Sequence, residues 1–179
     1  MVLAGTAAAP HILEHRSLEL WDPEVPDSRQ PYHAGLGLEP GHADPIVKRA
    51  CDAARAMGLV AVQALVASVR AGGCEPRGVG LVVGSDTDPA KIANPHVRAH
   101  ASEGRLFREV LEAAAAACEL PCLVLVERDA YEAAAQDLHR RPDALQRTVT
   151  ELGRAVPGPW RAEEKTAALA AWVALVRRR

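Results

Sequence analysis

The sequence predicts an α/β domain: a mixed sheet opened by an N-terminal hairpin, with helices on both faces. Three observations carry this. Two short apolar runs, Val79–Val83 and Leu123–Val126, end in turn residues or charges, as strands buried in a sheet do. Long segments with apolar residues at helical spacing precede and follow these runs, so strand and helix alternate. A segment of short-period patterning opens the chain.

The elements follow in order. Val2 to Leu20 reads as two short strands turning near Ala9-Pro10, with Ile12, Leu13, Leu18 and Leu20 on the apolar side and His11, Glu14, His15, Arg16 and Glu19 on the polar side. Trp21 to Pro45 is rich in proline and glycine, which forbids a continuous helix or central strand and predicts a long loop. Such a loop is either functional or wraps the surface. Asp44-Pro45 is then a helix start, with Asp as N-cap and Pro in the first turn. Val47, Ala50, Ala54, Met57, Val60 and Ala64 make its apolar stripe, and Gly72-Gly73 closes it.

Val79–Val83 reads as a central strand. Asn94-Pro95 starts the next helix, with Leu106, Phe107, Val110, Leu111 and Ala114 on one face. After the strand Leu123–Val126, Tyr131 to Leu138 reads as helix. Leu145, Val149, Leu152 and Val156 outline another, and Pro157-Gly158-Pro159 breaks the chain. The last helix starts near Arg161 and carries Leu169, Trp172, Val173 and Val176. Its terminal Arg177-Arg178-Arg179 reads as a solvated end that complements the helix dipole.

Composition narrows the function classes. A length of 179 residues suits one domain spanning 1–179, and 49% hydrophobic with 25% charged residues excludes a disordered or fibrous chain. A net charge of -2 lacks the strongly basic balance of a nucleic-acid binder, though it leaves room for a local patch. Cys51, Cys74, Cys118 and Cys122 have no zinc-finger spacing and read as reduced thiols. No unbroken apolar run reaches membrane-spanning length, and the N-terminus lacks a basic region ahead of an apolar stretch. The expectation is a cytoplasmic protein without a membrane partner.

In open α/β sheets, ligands bind outside the carboxyl ends of parallel strands. Gly84, Ser85, Asp86, Thr87 and Asp88 follow one strand here, and Glu127, Arg128 and Asp129 follow the other. Carboxylates gathered at one sheet edge hold Mg2+ or Mn2+ through oxygen and activate water against a phosphodiester. The alternative is structural: Asp86 and Asp88 cap a turn, and Glu127 pairs with Arg128.

GVGLVVGSDTDP, LPCLVLVERDAYEAAAQDL and RAEEKTAALAAWVALV, taken with the hairpin before them, resemble the RNase H-like fold, specifically the YqgF/RuvC-type Holliday-junction resolvase group. The resemblance implies metal-dependent phosphodiester hydrolysis on nucleic acid. It places Glu127 at the family's second acidic position and Glu163 or Glu164 at the acid opening the terminal helix. In an active enzyme Asp86 or Asp88 would join them on the metal and Arg128 or Lys165 would meet a phosphate, whereas Ser85 would meet one in a phosphate-binding turn. The family's first-strand Asp has no counterpart, because Val2–Thr6 contains no acid. The resemblance therefore implies an incomplete catalytic set, and the alternative is a non-catalytic interaction or scaffold domain, with a homo-oligomer among its partners.

Three further readings stand beside it. The GSDTD turn is similar to the phosphate-binding turn of the PurE-type carboxylase/mutase family, though it lies in mid-chain here. The stretch from Ala50 to Ser85 is similar in cadence to thiolases and ketosynthases, and would draw attention to Cys74 or Cys118. His96 and His100, spaced i, i+4, would share a metal on one helix face, with Glu103 near the next turn. The plainer expectation is solvated or capping histidines, and His33 and His42 in the long loop have no evident partner.

Overall fold

The computed structural model describes residues 1–177, with Pro40 described by its backbone. Arg178 and Arg179 of the terminal arginine run lie outside the described residues. The chain is mixed α/β and divides into two compact units, each assembled from separate stretches of sequence.

The first unit holds residues 1–17, 77–84 and 120–179. Strands β1 (Val2–Gly5) and β2 (Pro10–Glu14) form an antiparallel hairpin, and its turn is closed by mutual backbone hydrogen bonds between Thr6 and Ala9. Strands β3 (Val79–Val83) and β4 (Cys122–Val126) pair in parallel, Val79 opposite Cys122 through Val83 opposite Val126. Among the described residues these are two separate two-stranded sheets. The single mixed sheet expected from the sequence is thus corrected. The expected central strand is corrected too: β3 has one strand partner, and all five of its residues are only half-buried. Apolar runs mark burial, and a helix laid on an edge strand supplies burial as well as a second neighbouring strand does.

That helix is α5 (Ala162–Val176). An added Cβ on Gly80 would run into the backbone carbonyl of Ala170, so β3 and α5 touch backbone to backbone. Helix α3 (Ala130–Leu138) and helix α4 (Pro142–Leu152) complete the unit. Its core joins Leu123 and Leu125 of β4 to Ala134, Leu138, Leu145 and Val149, and to Leu169, Trp172 and Val173. Trp172 is fully buried, and the Arg140 guanidinium lies over its ring at 5.3 Å.

The second unit holds residues 18–76 and 85–119. Helix α1 (Pro40–Ala71) packs along helix α2 (Pro95–Ala117). Ala50, Ala54, Gly58, Val62 and Val66 recur every four residues on the buried side of α1. Gly58 abuts Val110 so closely that a Cβ would overlap it. The helix begins at Pro40 rather than at Asp44-Pro45, and Pro45 lies inside it as the sixth residue, where it leaves the Gly41 carbonyl without an i+4 amide donor.

The same helix stands out in hydropathy. Gly41–Ala71 is long and apolar enough to cross a membrane by length and composition, with a mean hydropathy of 1.4 in its most apolar window; a third of that window is buried in the fold. No single run reveals this, because Asp44, Lys48, Arg49, Asp52 and Arg55 crowd the N-terminal half and leave residues 56–69 without a charge. Leu59 and Val60 on that stretch are exposed.

The segment before α1 is a compact chain of turns rather than an open loop. A 3-10 turn spans Pro26–Arg29, and the buried Ser28 hydroxyl accepts from the Asp22 amide at 2.8 Å and donates to the Val25 carbonyl at 2.6 Å. Pro31 is fully buried, and Tyr32 packs against Cys51, Leu106 and Val110.

The β3–α5 contact is open to test. Gly80→Ala is expected to destabilise the protein by about 1–3 kcal/mol in urea unfolding, because the Ala170 backbone has no room to yield. Gly84→Ala, where nothing lies within 4 Å of the new methyl, is expected to be near neutral.

Candidate metal centre

Helix α2 starts at a cap that orders its first turn. The Asn94 side chain accepts hydrogen bonds from the amides of His96 (3.0 Å) and Val97 (3.1 Å), and Pro95 follows the cap. His96 and His100 then project from the same face, one turn apart. Both are exposed, and their Nε2 atoms are 3.3 Å apart. Glu103 continues that face but is buried, 7% exposed.

His33 arrives from the turn-rich segment. Its Nδ1 lies 2.8 Å from Glu103 Oε1, and its backbone amide donates to the same oxygen at 3.2 Å. A carboxylate accepts only, so Nδ1 carries the proton toward Glu103, and the Nδ1–H tautomer offers its lone pair on Nε2. That Nε2 is buried and has no hydrogen-bond partner among the described residues. The His33 ring centroid is 4.9 Å from that of His96 and 4.2 Å from that of His100. His100 Nδ1 lies 3.9 Å from Glu103 Oε2, so one carboxylate faces two of the three imidazoles.

The three histidines present ligand atoms within 4.8 Å of one another. A tetrahedral ion with bonds of about 2.0–2.1 Å sets its nitrogens about 3.3–3.4 Å apart, the spacing already found between His96 and His100. One neutral imidazole donating to another gives that spacing as well. The wider separations close by movements on the order of 1.5 Å, well within the reach of exposed side chains. The buried carboxylate behind the His33 ring matches the outer-shell partner of metal-bound histidines, which fixes the tautomer and raises ligand basicity.

The surroundings are apolar at Tyr32 and Cys51. Burial pushes both the phenol and the thiol up, and their mutual contact raises the phenol further. Cys51 packs with Leu106 and Val110 and lies outside the donor group of the three histidines.

The residues singled out in the sequence lie elsewhere. Glu127 opens a 3-10 turn (Glu127–Asp129) at the carboxyl end of β4 and is exposed; Arg128 pairs with Asp129 at 3.1 Å, not with Glu127 as the structural alternative expected. Glu163 is exposed at the start of α5, and half-buried Lys165 follows it. Glu164 accepts the Arg161 amide at 2.8 Å and so caps that helix. Asp86 and Asp88 belong to the second unit, where Asp86 pairs with Arg108 at 2.8 Å and Asp88 caps Ala90 at 3.1 Å with Arg105 nearby. The Ser85 hydroxyl is bonded within its own turn, to the amide and hydroxyl of Thr87. Among the described residues, only the three histidines gather as a donor group for one ion.

Sequence spacing had flagged His96, His100 and Glu103. It missed His33, which stands 70 residues from Glu103 in a segment without periodic pattern. Comparisons with known protein families, with curated proteins and with solved structures found no match for the chain.

The Glu164 cap makes a prediction about acid stability. Backbone hydrogen bonds at Glu164 and Arg161 hold its carboxyl below the usual range. A folded pKa below the unfolded one contributes stability at every pH above the unfolded value, and that contribution is lost as pH falls through the folded one. Urea midpoints of the wild-type protein and Glu164→Ala should therefore differ near neutrality and converge on acidification. A difference that persists in acid would show that the charge plays no part.

Proposed function

We propose that this protein binds one divalent transition-metal ion through His33, His96 and His100, with Glu103 orienting His33. The observation that carries the proposal is the buried, unpartnered Nε2 of His33, whose ring is held from behind by a buried carboxylate and faces two further imidazoles. A buried carboxylate is costly unless it is hydrogen-bonded or paired, and a dication at the histidines would add favourable charge on the far side of the His33 ring. Imidazole donors favour zinc, cobalt, nickel or copper over the Mg2+ or Mn2+ that carboxylates would hold.

An RNase H-like nuclease built on Glu127 with Glu163 or Glu164 rests on the sequence resemblance and on the exposed strand-end position of Glu127. The histidine centre is preferred because its donors converge and its orienting carboxylate is in place.

Calorimetric titration of the untagged protein with Zn2+ should give one site per chain, and should raise the melting temperature as expected for a ligand specific to the folded state. His96→Ala and His100→Ala should each abolish that site with little change in the metal-free fold, since both side chains are exposed. Glu103→Gln should weaken binding by about 10–100-fold. Equal Zn2+ titrations for wild type and the two alanine variants would overturn the proposal.

A further inference from the structure

The geometry points to a catalytic use of this ion: it keeps a solvent-facing coordination position, and water bound there hydrolyses small esters. The inference rests on the metal-binding proposal above. A structural zinc site closes its tetrahedron with four protein donors, whereas a catalytic one leaves a position to water. Here three imidazoles converge, and among the described residues no further donor joins that group. Glu103, the nearest candidate, is turned to the Nδ1 side of His33 and bonded to it at 2.8 Å, so it stands behind the ligand rather than on the ion.

Solvent reaches the site from one side. His33 is largely buried, its side chain 15% exposed, while the His100 side chain is 56% exposed and His96 is exposed beside it. An ion seated among them has protein on the His33 side and water on the α2 side. The exposed approach suits a small, uncharged substrate rather than one that must be enclosed. Exposed Val97, next to His96, offers an apolar rim for an acyl or aryl group.

The chemistry balances without a co-reactant. A divalent ion lowers the pKa of bound water toward neutrality, so the water releases a proton to buffer. The resulting hydroxide oxygen bonds to the ester carbonyl carbon as the carbonyl electron pair moves onto oxygen. Collapse breaks the carbon–oxygen bond to the leaving group, which departs as an alkoxide or phenoxide and takes up a proton. The carboxylic acid dissociates and water re-enters; one ester and one water become one acid and one alcohol.

Untagged protein loaded with Co2+ separates the outcomes. Azide titrated into it should shift the visible cobalt bands, and the loaded protein should hydrolyse p-nitrophenyl acetate about tenfold or more faster than metal-free protein. His96→Ala and His100→Ala, checked for folding by circular dichroism, should lose both responses. Stoichiometric cobalt binding with azide-insensitive bands and ester hydrolysis at the metal-free rate would overturn the open position and leave metal binding standing. Absence of cobalt and zinc binding would overturn both.

Discussion

The second unit is organised around one buried charge. Glu103 lies on the inner side of α2, where its carboxylate has little access to water and is met by the His33 amide and ring and, at longer range, by His100. The amide and imidazole of His33 both address Oε1, and that double contact sets where the turn-rich segment meets the helix. Tyr32, one residue earlier, is thereby placed against Cys51, Leu106 and Val110, and Pro31 before it is fully buried. A single carboxylate thus ties a segment without regular structure to the packing of two helices. It leaves the His33 ring beside those of His96 and His100, with its buried Nε2 unpartnered among the described residues.

The first unit depends on close packing instead. Gly80 lets β3 approach α5 to backbone contact, which a side chain at that position would forbid. The α5 residues facing inward, Leu169, Trp172 and Val173, then meet β4 and the two helices that follow it. Its charges sit at the periphery in ordinary roles: Arg177 pairs with Asp137 at 2.9 Å, Arg147 with Asp143 at 3.1 Å, and Glu164 caps a helix. Such exposed pairs contribute little each, and the apolar core carries the stability.

Helix α1 shows why composition and exposure have to be weighed together. Gly41–Ala71 is apolar and long enough to cross a membrane by length and composition, yet its small residues at four-residue spacing pack on α2, where Gly58 abuts Val110. Alanine-rich helices approach one another closely because little side chain stands between them, and the same residues inflate hydropathy on whichever face they occupy. Leu59 and Val60 lie on the side that this packing leaves exposed.

Local order was legible in the sequence. Asn94-Pro95 starts α2, Gly72-Gly73 follows the end of α1, and Val79–Val83 and Cys122–Val126 are strands, because capping, chain reversal and β-branched runs act over a few residues. The histidine pair on α2 was legible for the same reason: helical spacing alone sets i and i+4 side by side. Sheet membership was not, since an apolar strand looks alike whether a strand or a helix such as α5 covers it. Nor did any local pattern separate an acid that caps a helix, Glu164, from one standing free at a strand end, Glu127. The partner of the histidine pair was hidden most completely. His33 is one of two histidines in a segment with no periodicity, and its contact is with Glu103, whose burial is a property of packed helices rather than of neighbouring residues.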